Sequence, residues 1–147
     1  MTNRREAHEG TVEVALPLAN AFDYVTPEGE RMWVPGWDPD YPAGAPSEEV
    51  GTAFITRMDN VECLWVIAAF DRRRTSATYA RVTPDRHFGL VSVKCEASGT
   101  NATRITVSYD MTTLVPDDAN ALAPYRKEAF AAMLTEWQEL IASHVAG

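Results

Sequence analysis

The chain has 147 residues, 46% of them hydrophobic, and a formal net charge of −8. That length suits one domain, residues 1–147, with a core of its own. The acidic balance excludes a nucleic-acid binder that works by neutralising phosphates and disfavours docking on an anionic membrane. No apolar run approaches a membrane span, so no stable membrane insertion is expected. Met1 to Gly10 is polar and charged and reads as no signal peptide, which leaves cytoplasmic as the default location.

In chain order, Thr11 to Leu16 alternates, with Val12, Val14 and Leu16 on one face, and reads as a half-buried strand ended by Pro17. Leu18 to Val25 is a short helix with Ala21, Phe22 and Val25 on its apolar side. Thr26-Pro27-Glu28 caps a second short helix running to about Trp33. Trp33 to Pro42 then carries Trp33, Trp37 and Tyr41 among Pro35, Pro39 and Pro42. Prolines at that density exclude helix and sheet interior, so this is a stiffened loop. Its aromatics either plug the core from one side or line the mouth of a pocket.

Strands follow at Gly51–Arg57, Glu62–Asp71, Arg74–Thr83, Phe88–Ala97 and Thr103–Leu114. Within the second, Leu64 to Phe70 is continuously apolar, which implies either partial cover on both sheet faces or a partner on one. The last alternates most clearly: Ile105, Val107, Tyr109 and Met111 face one way, Arg104, Thr106, Ser108, Asp110 and Thr112 the other. The Arg72-Arg73-Arg74 run reads as a solvated hairpin tip. Cys63 and Cys95 fit no metal spacing and fall on strands with another between them, about 9.5 Å apart at twice the strand spacing. That is too far for a disulfide, so both read as reduced and buried.

Asp117 to Gly147 reads as the long terminal helix, with Leu122, Ala123, Phe130, Met133, Leu134, Trp137, Leu140, Ile141 and Val145 on one face. Asp117, Asp118 and Asn120 suit its first turn, and Pro124 either starts the main helix or kinks it. Trp137, the central aromatic of that face, is expected to be largely buried. Short links give an antiparallel meander, and the whole is an α+β domain. About six strands, the first beside the last, wrap the terminal helix, with two short helices after strand one.

Chemistry-bearing patterns are sparse. There is no nucleophile elbow, phosphate loop, dinucleotide fingerprint or zinc-protease motif, and His8, His87 and His144 share no ligand spacing. No metal and no cofactor is therefore expected. Tyr79 and Arg81 share one face of their strand. If that face is concave, a phenol and a guanidinium look into the interior together and can orient a carboxylate, enol or phenolate; if not, Thr78, Ala80 and Val82 take the core. Tyr109 is the strongest candidate for an interior polar group. Asp38 either serves as a base at a pocket mouth or organises its own turn. Arg126 takes the buried phase of an unbroken helix or a rim position with its head in water. His144, near the helix end, suits a dipole role.

This order of elements resembles the START-like (helix-grip, SRPBCC) superfamily, and more narrowly its polyketide cyclase/dehydrase and lipid-transport branch. The carrying segments are the Trp33–Pro39 loop, Trp65–Asp71, Tyr79–Pro84, Thr103–Leu114 and the terminal helix with Trp137. The resemblance implies a cavity between the concave sheet face and the terminal helix. The side chains expected to meet a ligand there are Trp33, Trp37, Tyr41, Trp65, Tyr79, Arg81, Tyr109, Met111, Phe130, Met133 and Trp137. Three functions compete: a carrier or sensor of a small, mostly apolar molecule (polyketide, lipid or aromatic); a cofactor-free cyclase or dehydratase in which Tyr109, Tyr79 and Arg81 polarise a carbonyl; and an interaction module with a closed cavity. The Leu64–Phe70 run adds a homodimer to the expected partners.

Overall fold

The computed structural model describes residues 2–116, 118 and 120–147. Its elements are β1 (Arg5–Val14), α1 (Leu18–Tyr24), a single 3-10 turn (Gly29–Met32), β2 (Ala53–Met58), β3 (Val61–Asp71), β4 (Ser76–Thr83), β5 (His87–Gly99), β6 (Ala102–Thr113), a second 3-10 turn (Ala123–Tyr125) and α2 (Lys127–Ala146). The six strands form one antiparallel sheet in the order β1-β6-β5-β4-β3-β2, so the first strand lies beside the last. The fold is the expected α+β helix-grip arrangement.

Local chemistry explains the turns. Asp59 and Asn60 both take left-handed backbone angles, φ 51° and 65°, the two-residue hairpin geometry that Asp and Asn tolerate best among side-chain-bearing residues. The strand parity follows the alternation: Ile105, Val107, Tyr109 and Met111 are buried and form the concave core with Val12, Val91, Val93 and Ile67. Cys63 and Cys95 are free and buried, on strands flanking β4.

Several expectations need correction. β1 starts at Arg5, not Thr11. Its first half is polar because each face of this edge is only partly covered, and it is held by the ladder to β6 and by Arg5, whose guanidinium pairs with Asp110. The Leu64–Phe70 run does not have both faces covered. Cys63, Trp65 and Ile67 are buried, whereas Leu64 and Val66 are exposed on the outer face, in register with Val82 and Ala80 of β4. A bulge between Ile67 and Ala69 then breaks the alternation. Arg72 is more than a solvated tip: its Nη1 donates to Asp23 Oδ1 at 2.7 Å, it pairs with Glu48, and its guanidinium lies 5.5 Å from the Phe22 ring centroid.

The terminal helix begins at Lys127. Asp117, where it was expected to start, lies outside the described residues, and Asp118 serves a turn by accepting the Ala121 N–H. Pro124 has no N–H to give and sits in the separate 3-10 turn. Along α2 the fully covered side chains are Phe130, Leu134 and Ile141; Trp137 is only half-buried, because its face opens on a hollow rather than on packed core. Val145, expected on the buried face, is exposed.

Candidate functional site

Three segments converge on the concave face. The middle of the sheet supplies a registered row, Phe54–Trp65–Arg81–Gly89–Met111, and beside it Ile67–Tyr79–Val91–Tyr109. Tyr79 and Arg81 therefore face inward. Between this face, the loop at Trp37, the turn at Tyr125 and the side of α2 at Trp137 lies a cavity of about 500 Å³.

Its walls carry a cluster of aromatic rings. Phe54 and Trp65 stack 5.6 Å apart at 6°, and Trp37 meets Trp65 edge-on at 5.6 Å. The indole N–H groups are used structurally: Trp65 Nε1 donates to Thr56 Oγ1 at 3.0 Å, and Trp37 Nε1 to the Pro27 carbonyl at 2.7 Å. Tyr109 stacks on Tyr125 at 5.5 Å, and Tyr125 meets His87 edge-on at 5.0 Å.

The polar groups among these walls include Glu30, Tyr79, Arg81, His87, Tyr109 and Tyr125, with Thr56, Thr83, Asp59 and Arg86 also in the lining. The Tyr79 hydroxyl, Arg81 Nε and His87 Nδ1 are buried with no hydrogen-bond partner among the described residues. Three such atoms in one cavity wall are a concentration that folded cores rarely tolerate. Arg81 Nη2 donates to Cys63 Sγ at 3.3 Å, and its guanidinium lies 4.9 Å from the Trp65 ring centroid and 5.6 Å from that of Tyr125. Burial pushes the Tyr79 and Tyr109 phenols well above their ordinary range, so both stay protonated donors.

Glu30 is carried in by the first 3-10 turn. Thr26 Oγ1 donates to the Asp23 carbonyl at 2.8 Å and accepts the Gly29 N–H at 3.0 Å. A Cβ on Gly29 would sit 1.6 Å from the Asp23 carbonyl oxygen, so only glycine permits this tight approach. The next residue, Glu30, then faces the cavity. Desolvation raises its carboxyl to about 8, against an opposing pull from Arg81. Desolvation, with help from Arg81 and Arg86, lowers His87 to about 4. At neutral pH the site thus holds a protonated carboxylic acid, a neutral imidazole and a cationic guanidinium.

These two shifts have opposite consequences for stability. Glu30, raised from 4.5, stabilises the fold fully below about 4.5, and that contribution is lost as pH rises through about 8. His87, lowered from 6.5, stabilises above about 6.5 and loses its contribution as pH falls through about 4. Between about 6.5 and 8 only Glu30 of the pair changes. Wild-type stability should therefore fall over that window by about 1–2 kcal/mol relative to Glu30→Gln, read from urea denaturation at each pH. Parallel curves for the two proteins would show Glu30 ionised throughout.

Of the side chains expected to meet a ligand, Trp37, Trp65, Tyr79, Arg81, Tyr109 and Trp137 line the cavity together. The others lie around it. Trp33 is buried behind Trp137, ring centroids 5.4 Å apart, with its Nε1 donating to the Tyr24 carbonyl. Tyr41 packs on Phe54 and donates to Glu28 Oε2 at 2.9 Å. Met111 is fully buried in the core. Phe130 packs against Tyr109 and lines a separate hollow between α2 and β1, while Met133 is half-buried beside the core. Asp38 pairs with Arg31 and is absent from the cavity wall. Arg126 is exposed just before α2, and His144 Nδ1 hydrogen-bonds the Tyr24 hydroxyl at 2.7 Å. Among the described residues, no three His, Cys, Asp or Glu side chains gather as metal ligands.

Glu30, His87 and Tyr125 were missed. Glu30 is one of 21 acidic residues and sits in a turn too short for periodicity to show a face. The available signal was Gly29 directly after the Thr26-Pro27-Glu28 cap, which marks a tight turn. His87 opens a strand, and Tyr125 follows Pro124 in a turn, where no alternation reveals direction.

No family model and no curated protein matches the sequence. Solved structures do match. The chain is similar to norcoclaurine synthase from Thalictrum flavum, seen as a point mutant with a transition-state analogue, at 12% identity and a TM-score of 0.69 over 99% of this chain and 97% of that one. It is similar to Ara h 8.0201 at 15% identity and TM-score 0.67, over 99% and 100% of the two chains. It is also similar to the Zhui aromatase/cyclase from Streptomyces sp. R1128 at 14% identity and TM-score 0.64, over 97% and 96%. All three have the START/Bet v1 helix-grip fold, and at these identities the likeness establishes that fold and nothing finer.

Proposed function

We propose that this chain binds one small, largely aromatic or otherwise apolar molecule between its sheet and C-terminal helix, as a carrier or sensor. The observation that carries this reading is the aromatic cavity of about 500 Å³ whose wall holds three unpartnered buried polar atoms. The volume is ordinary for a small-molecule site. An unmade hydrogen bond in such a wall costs about 1–3 kcal/mol, which a ligand oxygen can restore. The neighbours support the reading by fold, two of them being named for small-molecule chemistry.

A thermal-shift screen of aromatic polyketides, fatty acids, sterols and phenolic acids tests it. A ligand at a hundred times its dissociation constant should add about 2.7 kcal/mol of stability and perturb fluorescence from Trp37 and Trp65. Tyr109→Phe should weaken carbonyl- or hydroxyl-bearing ligands by about 1 kcal/mol and spare purely apolar ones. If no class binds, the cavity is a packing defect and the reading falls.

One observation favours a second reading, a cofactor-free enzyme that polarises a carbonyl. Glu30 near 8 and neutral His87 beside Arg81 are an acid–base set of the kind catalysis needs. The discriminating measurement is deuterium exchange into the methyl group of 2-acetonaphthone. Exchange above background that is lost in Glu30→Gln marks an enzyme, and none marks a binder.

A further inference from the structure

Arg81 is a largely buried cation that no carboxylate among the described residues touches. Several surface arginines have carboxylate partners: Arg5 with Asp110, Arg31 with Asp38, Arg57 with Glu62, Arg72 with Glu48, Arg104 with Glu13. Arg81 has instead a thiol and two ring faces, and its Nε has no acceptor. A thiol and π-clouds soften a buried charge but do not cancel it. In a chain with 21 acidic residues against 13 basic ones, a carboxylate partner is easy to supply. Among the described residues, the cavity wall contains only two carboxyl groups, Glu30 and, in the exposed hairpin turn, Asp59.

Building on the ligand-pocket reading, we propose that the cavity selects a monoanion: an apolar or aromatic molecule whose single carboxylate, phenolate or enolate oxygen sits on Arg81, with Glu30 as the built-in competitor for that charge.

The surrounding groups set the count. Facing Arg81 and Glu30 are the phenols of Tyr79, Tyr109 and Tyr125, the Cys63 thiol and the His87 imidazole, with Arg86 and Asp59 also in the wall and Tyr41 beyond it. Burial keeps the Tyr79, Tyr109 and Tyr125 phenols neutral, and His87 is neutral above about 4. Glu30 is protonated at neutral pH, so the interior carries one uncompensated positive charge and an acid O–H for the ligand's oxygen. Above about 8 Glu30 ionises. It then supplies the missing negative charge itself and repels the ligand. An anion already on Arg81 removes the cation's pull on Glu30 and tightens its hold on the proton, so anion binding and protonation reinforce each other.

The test is calorimetric titration of the full chain with 2-naphthoate and its uncharged isostere 2-naphthamide, from pH 6.5 to 9.5. Naphthoate is ionised throughout this range. At pH 7 it should bind at least about tenfold more tightly than the amide. Its affinity should fall towards about tenfold per pH unit above 8, while that of the amide stays level. In Glu30→Gln the naphthoate curve should be flat, and Arg81→Gln should erase the preference for naphthoate yet still bind the amide. Arg81→Lys, which keeps the charge, should keep the preference and guards against misfolding of the glutamine variant. Equal affinity of naphthoate and naphthamide in the wild type, or a naphthoate decline that persists in Glu30→Gln, overturns the monoanion proposal while leaving the pocket intact. Absence of binding by both compounds removes the pocket reading and the proposal with it.

Discussion

Gly89→Ala is expected to destabilise the protein by about 4 kcal/mol or more, a loss at the exceptional end for a single substitution. Gly89 is paired with Arg81 on one side and Met111 on the other, in the row that floors the cavity. A Cβ there would lie 1.9 Å from the Asp110 carbonyl oxygen and 2.9 Å from Met111 Cα. Both obstacles are backbone in β6, so no rotamer change relieves the overlap. β5 and β6 would have to part, and the pairing along β6 would go with them. Gly99→Ala is the internal control: its nearest contact is the Ala102 Cβ at 3.4 Å, which is ordinary packing, and its cost should stay under about 1 kcal/mol. Urea denaturation reads both variants. A Gly89→Ala midpoint close to that of Gly99→Ala would mean the sheet floor yields, and the rigidity ascribed to this row would be wrong.

Much of this fold is legible from alternation because a half-buried strand has only one parity that keeps charge out of the core. For β6, a one-residue slip buries Arg104, Ser108 and Asp110, so Tyr109 had to face in, and it does. The parity of β4 is not legible in that way. Tyr79 and Arg81 alternate with Thr78, Ala80 and Val82, and neither set is disqualified from the core by its chemistry alone. The ladder settles it: Tyr79 pairs with Ile67 and Val91, both buried. The cavity's polar set was less legible still. Glu30 and Tyr125 come from single 3-10 turns, and His87 from a strand's first residue. Such positions are oriented by what the tertiary fold places opposite them, which no local period encodes. The aromatic loop was read as a unit, yet its members part company. Trp33 goes into the core, Trp37 onto the cavity wall and Tyr41 to the far side of Phe54. A stiff loop brings side chains to one neighbourhood without giving them one direction.

Ile141→Ala and Trp137→Ala should separate core from cavity wall along a single helix. Ile141 is wholly covered and sits in the continuous apolar core, so truncation removes methyl groups and leaves a void. That costs about 2–5 kcal/mol, with little change in ligand affinity. Trp137 is larger, yet part of its surface faces the cavity, and its principal ring contact is the edge-on approach to Trp33 at 5.4 Å. Its truncation therefore widens a space that is already hollow. The stability loss should be smaller than for Ile141, about 1–2 kcal/mol, covering that ring contact and the half-buried area. The ligand should register the change more strongly. 2-Naphthamide, which has no charge to hold it, depends on aromatic walls and should weaken about tenfold or more in Trp137→Ala, while Ile141→Ala leaves it unchanged. Denaturation and calorimetry on the same two variants give the comparison. A Trp137→Ala loss equal to that of Ile141→Ala, with affinity intact, would make the indole a core residue and move the ligand away from α2.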